Sequence, residues 1–380
     1  MRILYAAIDQ RVPGTLGGSV HVQSVAEGLA ALGHEVHVLV GPGDRPFPAG
    51  PVHWHALRAP AGRPALRLVR APAVRREARA IRPDVVIERY HNFGGEGALA
   101  ARASGARYVL EVNAPVVDYP GSPKAVIDRA LLAEPMRRWR ERQVRWADLV
   151  VTPSARILPP GVERRRILQI EWGADTTRFR PDAVGVPHWR RDPDTIVAVF
   201  AGAFRAWHGA VQLVEAVRLL HARGRREYRA VLMGEGPERP AVERAAKGVE
   251  GVTFTGPVAH ADMPAALAAA DIGVAPFDAA RHPPLSLAFY WSPLKVFEYM
   301  ASGLAVVTPA LPRLASLVEH GVEGVLYRPS TSAALAEALE RLADPATRAA
   351  MGQSARARAV AEYSWEAHCR RLDEAIRALR

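Results

Sequence analysis

Cysteine is nearly absent. Cys369 stands alone in 380 residues, so no internal disulfide can form. No group of Cys and His sits at zinc-finger spacing, which leaves a disulfide-stapled or zinc-built scaffold without support. Long apolar runs are missing as well: none approaches the ~18 residues of a spanning helix. The apolar start over residues 1–8 is too short for a secretory signal and ends on Asp9. A cytoplasmic protein is expected, at most peripheral at the inner face of a membrane. Lysine is scarce: Lys124, Lys247 and Lys295 are the only three among 50 Lys+Arg. Fixed-period repeats and low-complexity tracts are also lacking, which excludes a solenoid or propeller.

What is present is an ordinary globular composition, with 49% hydrophobic, 23% charged and 7% aromatic residues. The length exceeds the ~250–300 residues that one core usually holds, so two domains are expected. The net charge of +11 is uneven. Residues 1–180 carry 27 Lys+Arg against 17 Asp+Glu, the rest 23 against 22. A basic first half attracts anionic partners, yet no nucleic-acid-binding module is recognisable and no nucleic acid is expected.

Element order fixes the fold class. A strand over 2–8, a glycine loop ending in Gly17-Gly18, a helix with Val22, Val25, Leu29 and Leu32 on one face, and a strand over 35–40 make a βαβ unit. Further β-rich runs fall at 84–88, 107–112, 148–152 and 167–170. Three prolines between Phe179 and Thr195 mark a linker. A second alternation follows, with strands at 196–201, 228–233, 252–255, 272–275, 305–308 and 325–327, and helices near 331–343, 345–362 and 365–380. The expectation is an α/β chain of two Rossmann-like, doubly wound domains facing a central cleft. The first covers 1–182, with 365–380 packing back on it, and the second covers 195–364. In such sheets ligands bind beyond the carboxyl ends of the strands.

Two post-strand loops carry anion chemistry. Ser292-Pro293-Leu294-Lys295 reads as a helix start, with Ser292 as N-cap and Pro293 in the first helical position; free N–H groups and the Lys295 charge favour an anion there. Glu298, one turn on, suits a diol, although an i, i+3 surface pair with Lys295 is the plain alternative. Arg205 and His208 in the turn 202–209 are placed to grip and to donate to a diphosphate, against the alternative of a merely exposed arginine beside a surface Trp207. Gly234-Glu235-Gly236-Pro237 is weak alone, and Asp192-Pro193-Asp194 is discounted as a metal pair. The run 136–146, with Trp139 and Trp146 among arginines, reads either as a lipid-surface helix or as core packing with snorkelling arginines.

Together these segments resemble the two-lobed retaining glycosyltransferases of family 4, whose fold is called GT-B. The resemblance rests on Gly17-Gly18 with the helix to Gly33, on 172–181, on Gly234-Glu235-Gly236-Pro237, on 254–258 and on 297–303, in the family's order. It implies transfer of a hexose-type sugar from a nucleoside-diphosphate sugar to a hydroxyl acceptor, with no metal or other cofactor. Glu298 would hold the ribose, Val258 would lie near the base, and Gly17 and Gly18 near the diphosphate or acceptor. Gly234, Ser292 and Leu294 would complete the donor site. Arg205 and Lys295 would stabilise the leaving diphosphate, Lys295 replacing the lysine that the family has near His208. Tyr290 stands where members often carry a first glutamate, as in a branch with this Ser-Pro-Leu-Lys segment. Asn113 takes the place of a common histidine, and Glu111 is an alternative participant in the chemistry. The 88–95 loop offers acceptor-binding groups. The other readings are an epimerase or phosphorylase on the same fold, or a non-catalytic nucleotide-sugar binder.

Overall fold

The computed structural model describes residues 1–379 apart from positions 15, 188, 190, 191 and 193. Among the described residues, all strand pairings within the sheets are parallel. The first sheet contains β1 (Arg2–Val12), β2 (Glu35–Pro42), β3 (His53–Ala56), β4 (Val85–Arg89), β5 (Arg107–Glu111), β6 (Leu149–Thr152) and β7 (Ile167–Gln169), in the order β3-β2-β1-β4-β5-β6-β7. The second contains β8 (Ile196–Ala201), β9 (Tyr228–Met233), β10 (Val252–Gly256), β11 (Ile272–Val274), β12 (Ala305–Pro309) and β13 (Gly324–Tyr327), in the order β10-β9-β8-β11-β12-β13. Parallel strands require crossover connections and are covered on both faces, which explains runs such as the fully buried Ile196–Ala201.

Strand order reverses between β1 and β4 in the first sheet and between β8 and β11 in the second. Those reversals are where a crevice opens beyond the carboxyl ends.

Two compact units result. The first comprises Met1–Trp172, Tyr290–Ser292 and the chain from Trp365 on; the second comprises Gly173–Phe289 and Pro293–Ser364. The second unit thus begins at Gly173, earlier than the linker prolines suggest. Arg356 explains why: its guanidinium donates to the carbonyls of Phe179 and Thr176, at 2.7 and 3.1 Å, and fixes that stretch to the second unit. The helix Trp365–Arg377 lies with the first unit, where Cys369 packs beside Gly28. Part of the expected linker, and Pro193 of the discounted acidic pattern, lie outside the described residues.

Three further differences have local causes. The short edge strand β3 follows a Pro/Gly-rich stretch and carries only four residues, His-Trp-His-Ala, too few to show a period in sequence. Trp139 and Trp146 pack edge to face at 5.7 Å, with Trp139 Nε1 donating to the Gly94 carbonyl, so the helix Pro135–Trp146 turns its tryptophans into its own unit. Arg140 on that helix does not snorkel; it is fully buried and paired with Asp118 and Asp128. No helix among the described residues is long and apolar enough to cross a membrane.

Candidate functional site

In the second unit, the chemistry collects at the β8/β11 reversal. β8 ends at Ala201, whose N–H donates to the Tyr299 hydroxyl at 2.7 Å, and Thr308 Oγ1 donates to the Ala275 carbonyl just past β11. Gly202 follows at φ +137°, and a Cβ there would meet Lys295 Nζ at 3.0 Å. A Cβ on Gly234, at φ +128°, would come closer still to the Gly202 carbonyl oxygen, so glycine is required at both crossing loops.

Lys295 extends from the helix Leu294–Ala301 toward this turn. Its Nζ has no hydrogen-bond partner and no solvent contact, although part of its stem is exposed. Ring faces flank it: Nζ lies 4.1 Å from the Phe200 centroid and 5.4 Å from that of Phe277. Burial drives its pKa down to about 7, against the opposing pull of Glu298. Glu298 does not pair with it in the manner of a surface i, i+3 bridge; its carboxylate faces His260 Nε2 at 3.5 Å instead.

Arg205 is exposed and forms no ion pair among the described residues. Trp207 is buried, stacked on Phe277 and His282 at 5.9 and 5.3 Å, rather than lying on the surface. His208 Nδ1 lies 2.5 Å from the Ala203 carbonyl, which can only accept, so the proton sits on Nδ1. Burial, then Lys295 and Arg205, push its pKa down to about 2. With the proton on Nδ1, neutral His208 offers a lone pair at Nε2 in the ligand-free protein.

The first unit holds a different cluster. Glu111, at the end of β5, accepts from the Tyr5 hydroxyl, from Asn113 Nδ2 and from Arg89 at 3.2 Å, and His21 Nε2 approaches to 2.5 Å. Burial raises its pKa, but His21, Arg89 and Tyr5 together hold the carboxyl well below the usual range. An anion so fully engaged is a weaker base and nucleophile than a free carboxylate. Asn113 is similarly occupied: its oxygen accepts from Trp172 Nε1 at 2.9 Å.

His21 is boxed by the rings of Trp172, Trp365 and His368 at 4.5, 5.3 and 5.6 Å, and burial lowers its pKa against the opposing pull of Glu111. No motif in the sequence singles out His21, Tyr5, Trp365 or His368. The available signal was His21 beside Val22 on a helix face that is otherwise apolar.

At the β1/β4 reversal, Arg67 is fully buried among carboxylates. It reaches Asp9 at 2.6 Å, Glu96 at 2.5 Å and Glu88 at 3.7 Å. Glu88 also accepts from the N–H groups of Gly95 and Ala98 and from Tyr108. Burial and Glu96 push Glu88 upward against the pull of Arg67. The 88–95 loop is thus anchored by its first residue.

The remaining predicted residues distribute unevenly. Gly17 opens the helix Gly17–Ala31, and Gly18 packs against Gln10 and Arg89 in the first unit. Leu294 begins its helix and Val258 is half-buried two residues before His260, both in the second unit. Ser292 is not the N-cap. Its hydroxyl donates to Glu171 and accepts from Trp172 N–H, each at 2.8 Å, while Pro293 at φ −83°, ψ 85° caps without a side-chain bond. Tyr290 and Ser292 both lie with the first unit, and Tyr290 is buried, with its hydroxyl pKa raised by that burial.

Two parallel-sheet Rossmann-like units with their charged groups at the strand-order reversals define the GT-B architecture. Family models agree: residues 16–178 match that described as Glycosyltransferase Family 4 and residues 195–344 that described as Glycosyl transferases group 1. Each half of the chain is thus similar to a glycosyltransferase domain. Over 178 residues, 46% of this chain, it is 29% identical to an α-D-kanosaminyltransferase of Streptomyces kanamyceticus, a match spanning 43% of that relative's length. Among solved structures, sucrose-phosphate synthase from Thermosynechococcus elongatus superimposes with TM-score 0.74 at 21% identity, covering 100% of this chain and 98% of that one. Anabaena Alr3699/HepE in complex with UDP gives 0.70 at 19%, with both chains covered in full.

An ammonium kept from water without a counter-ion strains the fold. Its native pKa is depressed, so the destabilisation is complete below pH ~7 and fades as pH rises toward the value near 10.5 of the unfolded chain. Lys295→Met is therefore expected to stabilise the ligand-free protein by about 1–4 kcal/mol at pH 6–7 and by progressively less toward pH 10. Urea unfolding across that range measures it, and an unchanged or lowered midpoint would contradict the burial argument.

Proposed function

We propose that the chain is a retaining transferase that moves a hexose-type sugar from a nucleoside-diphosphate sugar to a hydroxyl acceptor without a catalytic metal. The observation carrying this is the unpartnered Lys295 ammonium at the β8/β11 reversal, with Arg205 unpaired on the adjoining turn. A diphosphate supplies the missing counter-charge. As the bond between the anomeric carbon and the phosphate oxygen lengthens, negative charge grows on the departing diphosphate, and Lys295, Arg205 and the uncapped first turn of Leu294–Ala301 stabilise it.

Glu298, steered by His260, accepts from the ribose hydroxyls, and Val258 lies near the base. Gly234 lets its loop close on Gly202 beneath the phosphates. His208 Nε2 accepts from a donor-sugar hydroxyl. For retention, the acceptor hydroxyl attacks the anomeric carbon on the face from which the phosphate departs, and a phosphate oxygen takes its proton. The engagement of Glu111 and Asn113 supports this over attack by a protein carboxylate. It assigns both to shaping the first unit, with Tyr290 and Ser292. The 88–95 loop, where His91 and Phe93 lie 5.9 Å apart, is the acceptor's place.

An anionic membrane surface presenting a lipid-linked acceptor is a second reading of the acceptor side. Val126, Ile127, Leu131 and Leu132 are exposed on and just beyond the helix Pro123–Ala130, next to Arg129. Co-sedimentation with anionic vesicles that is lost in Leu131→Glu/Leu132→Glu supports it, and equal partitioning of both proteins removes it.

The donor half is tested by thermal shift with UDP, GDP, dTDP and ADP, since a ligand that binds only the native state raises its stability. One of the four is expected to raise the midpoint. Lys295→Ala and Glu298→Ala should abolish that shift, and Lys295→Ala should lower kcat/KM by about 100- to 1,000-fold, as loss of one charge-stabilising donor does. Wild-type turnover in both would refute the assignment; phosphate-dependent cleavage or donor isomerisation would point to the phosphorylase or epimerase.

A further inference from the structure

The edge of the first sheet carries a group of side chains that sugar transfer does not use. β2 and β3 run parallel, with His37 registered on His53 and Leu39 on His55. Alternation along a strand puts Glu35 and His37 on one face of β2, and His53 and His55 on the same face of β3. One potential ligand atom each from Glu35, His37 and His53 lies within 4.8 Å of the other two. His37 Nε2 is 3.0 Å from Glu35 Oε1, and its Nδ1 is 3.0 Å from His55 Nε2. The rings of His37 and His53 stack at 4.6 Å.

We propose that Glu35, His37 and His53 form a binding site for a divalent transition-metal ion of the zinc class, with His55 as its positioning residue. Two imidazoles and a carboxylate, with water in the fourth place, are a common donor set for such an ion. With zinc–nitrogen bonds of 2.0–2.1 Å, tetrahedral ligand atoms lie roughly 3.3 Å apart, close to the spacing of the Glu35–His37 pair. When His37 gives Nε2 to the ion, its proton stays on Nδ1 and is donated to His55 Nε2. Such a partner on the second ring nitrogen is typical of metal-bound histidine.

The ion fastens the four-residue edge strand β3 to β2 and takes no part in catalysis. The pattern escapes a sequence scan because its ligands come from two strands joined by a Pro/Gly-rich stretch, and the register alone brings them together.

The test uses the untagged full chain, stripped with EDTA and titrated with ZnCl2 by calorimetry. One equivalent is expected to bind at micromolar affinity or tighter and to raise the thermal midpoint, and CoCl2 is expected to give the visible bands of a tetrahedral site. His53 is exposed, so His53→Ala should fold normally, as circular dichroism will show, while losing at least 100-fold in affinity. His55→Ala should lose about 10- to 100-fold with the stoichiometry kept. Absence of binding in the parent overturns the proposal. So does unchanged binding in His53→Ala, which would mean an adventitious ion only, held elsewhere among the thirteen histidines.

Discussion

A single unneutralised charge organises the second unit. Lys295 holds its ammonium against the faces of Phe200 and Phe277, where water does not reach it and no side chain hydrogen-bonds to it. Depressing a lysine from 10.5 to about 7 corresponds to on the order of 4–5 kcal/mol of lost preference for the charged form. That cost recurs in the surroundings. Gly202 and Gly234 leave backbone where side chains would collide, Tyr299 and Thr308 fasten the ends of β8 and the turn after β11, and Trp207 closes the apolar wall. An arrangement this costly to the ligand-free protein makes physical sense where an anion completes it, because the binding energy of that anion is then greatest in the state with the most negative charge.

The first unit handles charge in the opposite way. Glu111 is surrounded by Tyr5, Arg89, Asn113 and His21 until little is left for a substrate. Arg67 is enclosed by Asp9, Glu88 and Glu96. Breaking such pairs by removing one member costs about 3–5 kcal/mol, so they serve as rigid fixtures that set the post-strand loops. Reactive positive charge is concentrated at the second reversal, and the first supplies shape.

Much of this is legible in the sequence. The buried strands β8, β9 and β12 announce themselves as uninterrupted apolar runs, and the Gly33 stop and the βαβ order identify the first crossover. Lys295 could be singled out as one of three lysines, in a loop-to-helix segment. Its burial could not, since nothing local says that Phe200 and Phe277, from distant segments, would flank it. Ser292-Pro293 reads as a helix start on local preference alone, yet the partners of Ser292, Glu171 and Trp172, lie about 120 positions away. The His21 box and the Arg67 cage likewise depend on contacts made only after the sheet has assembled. Four-residue β3 is below the length at which alternation is visible, so the Glu35, His37 and His53 group stayed hidden with it.

The most direct test is proton linkage on nucleotide binding. If a diphosphate neutralises Lys295, calorimetry at pH 8 in two buffers of different ionisation enthalpy will show uptake of close to one proton per UDP, or per whichever diphosphate binds most tightly. Affinity will weaken as pH rises above about 7, and both effects will vanish in Lys295→Met. Tight binding without proton uptake, at an affinity unchanged between pH 6 and 9, would contradict the account.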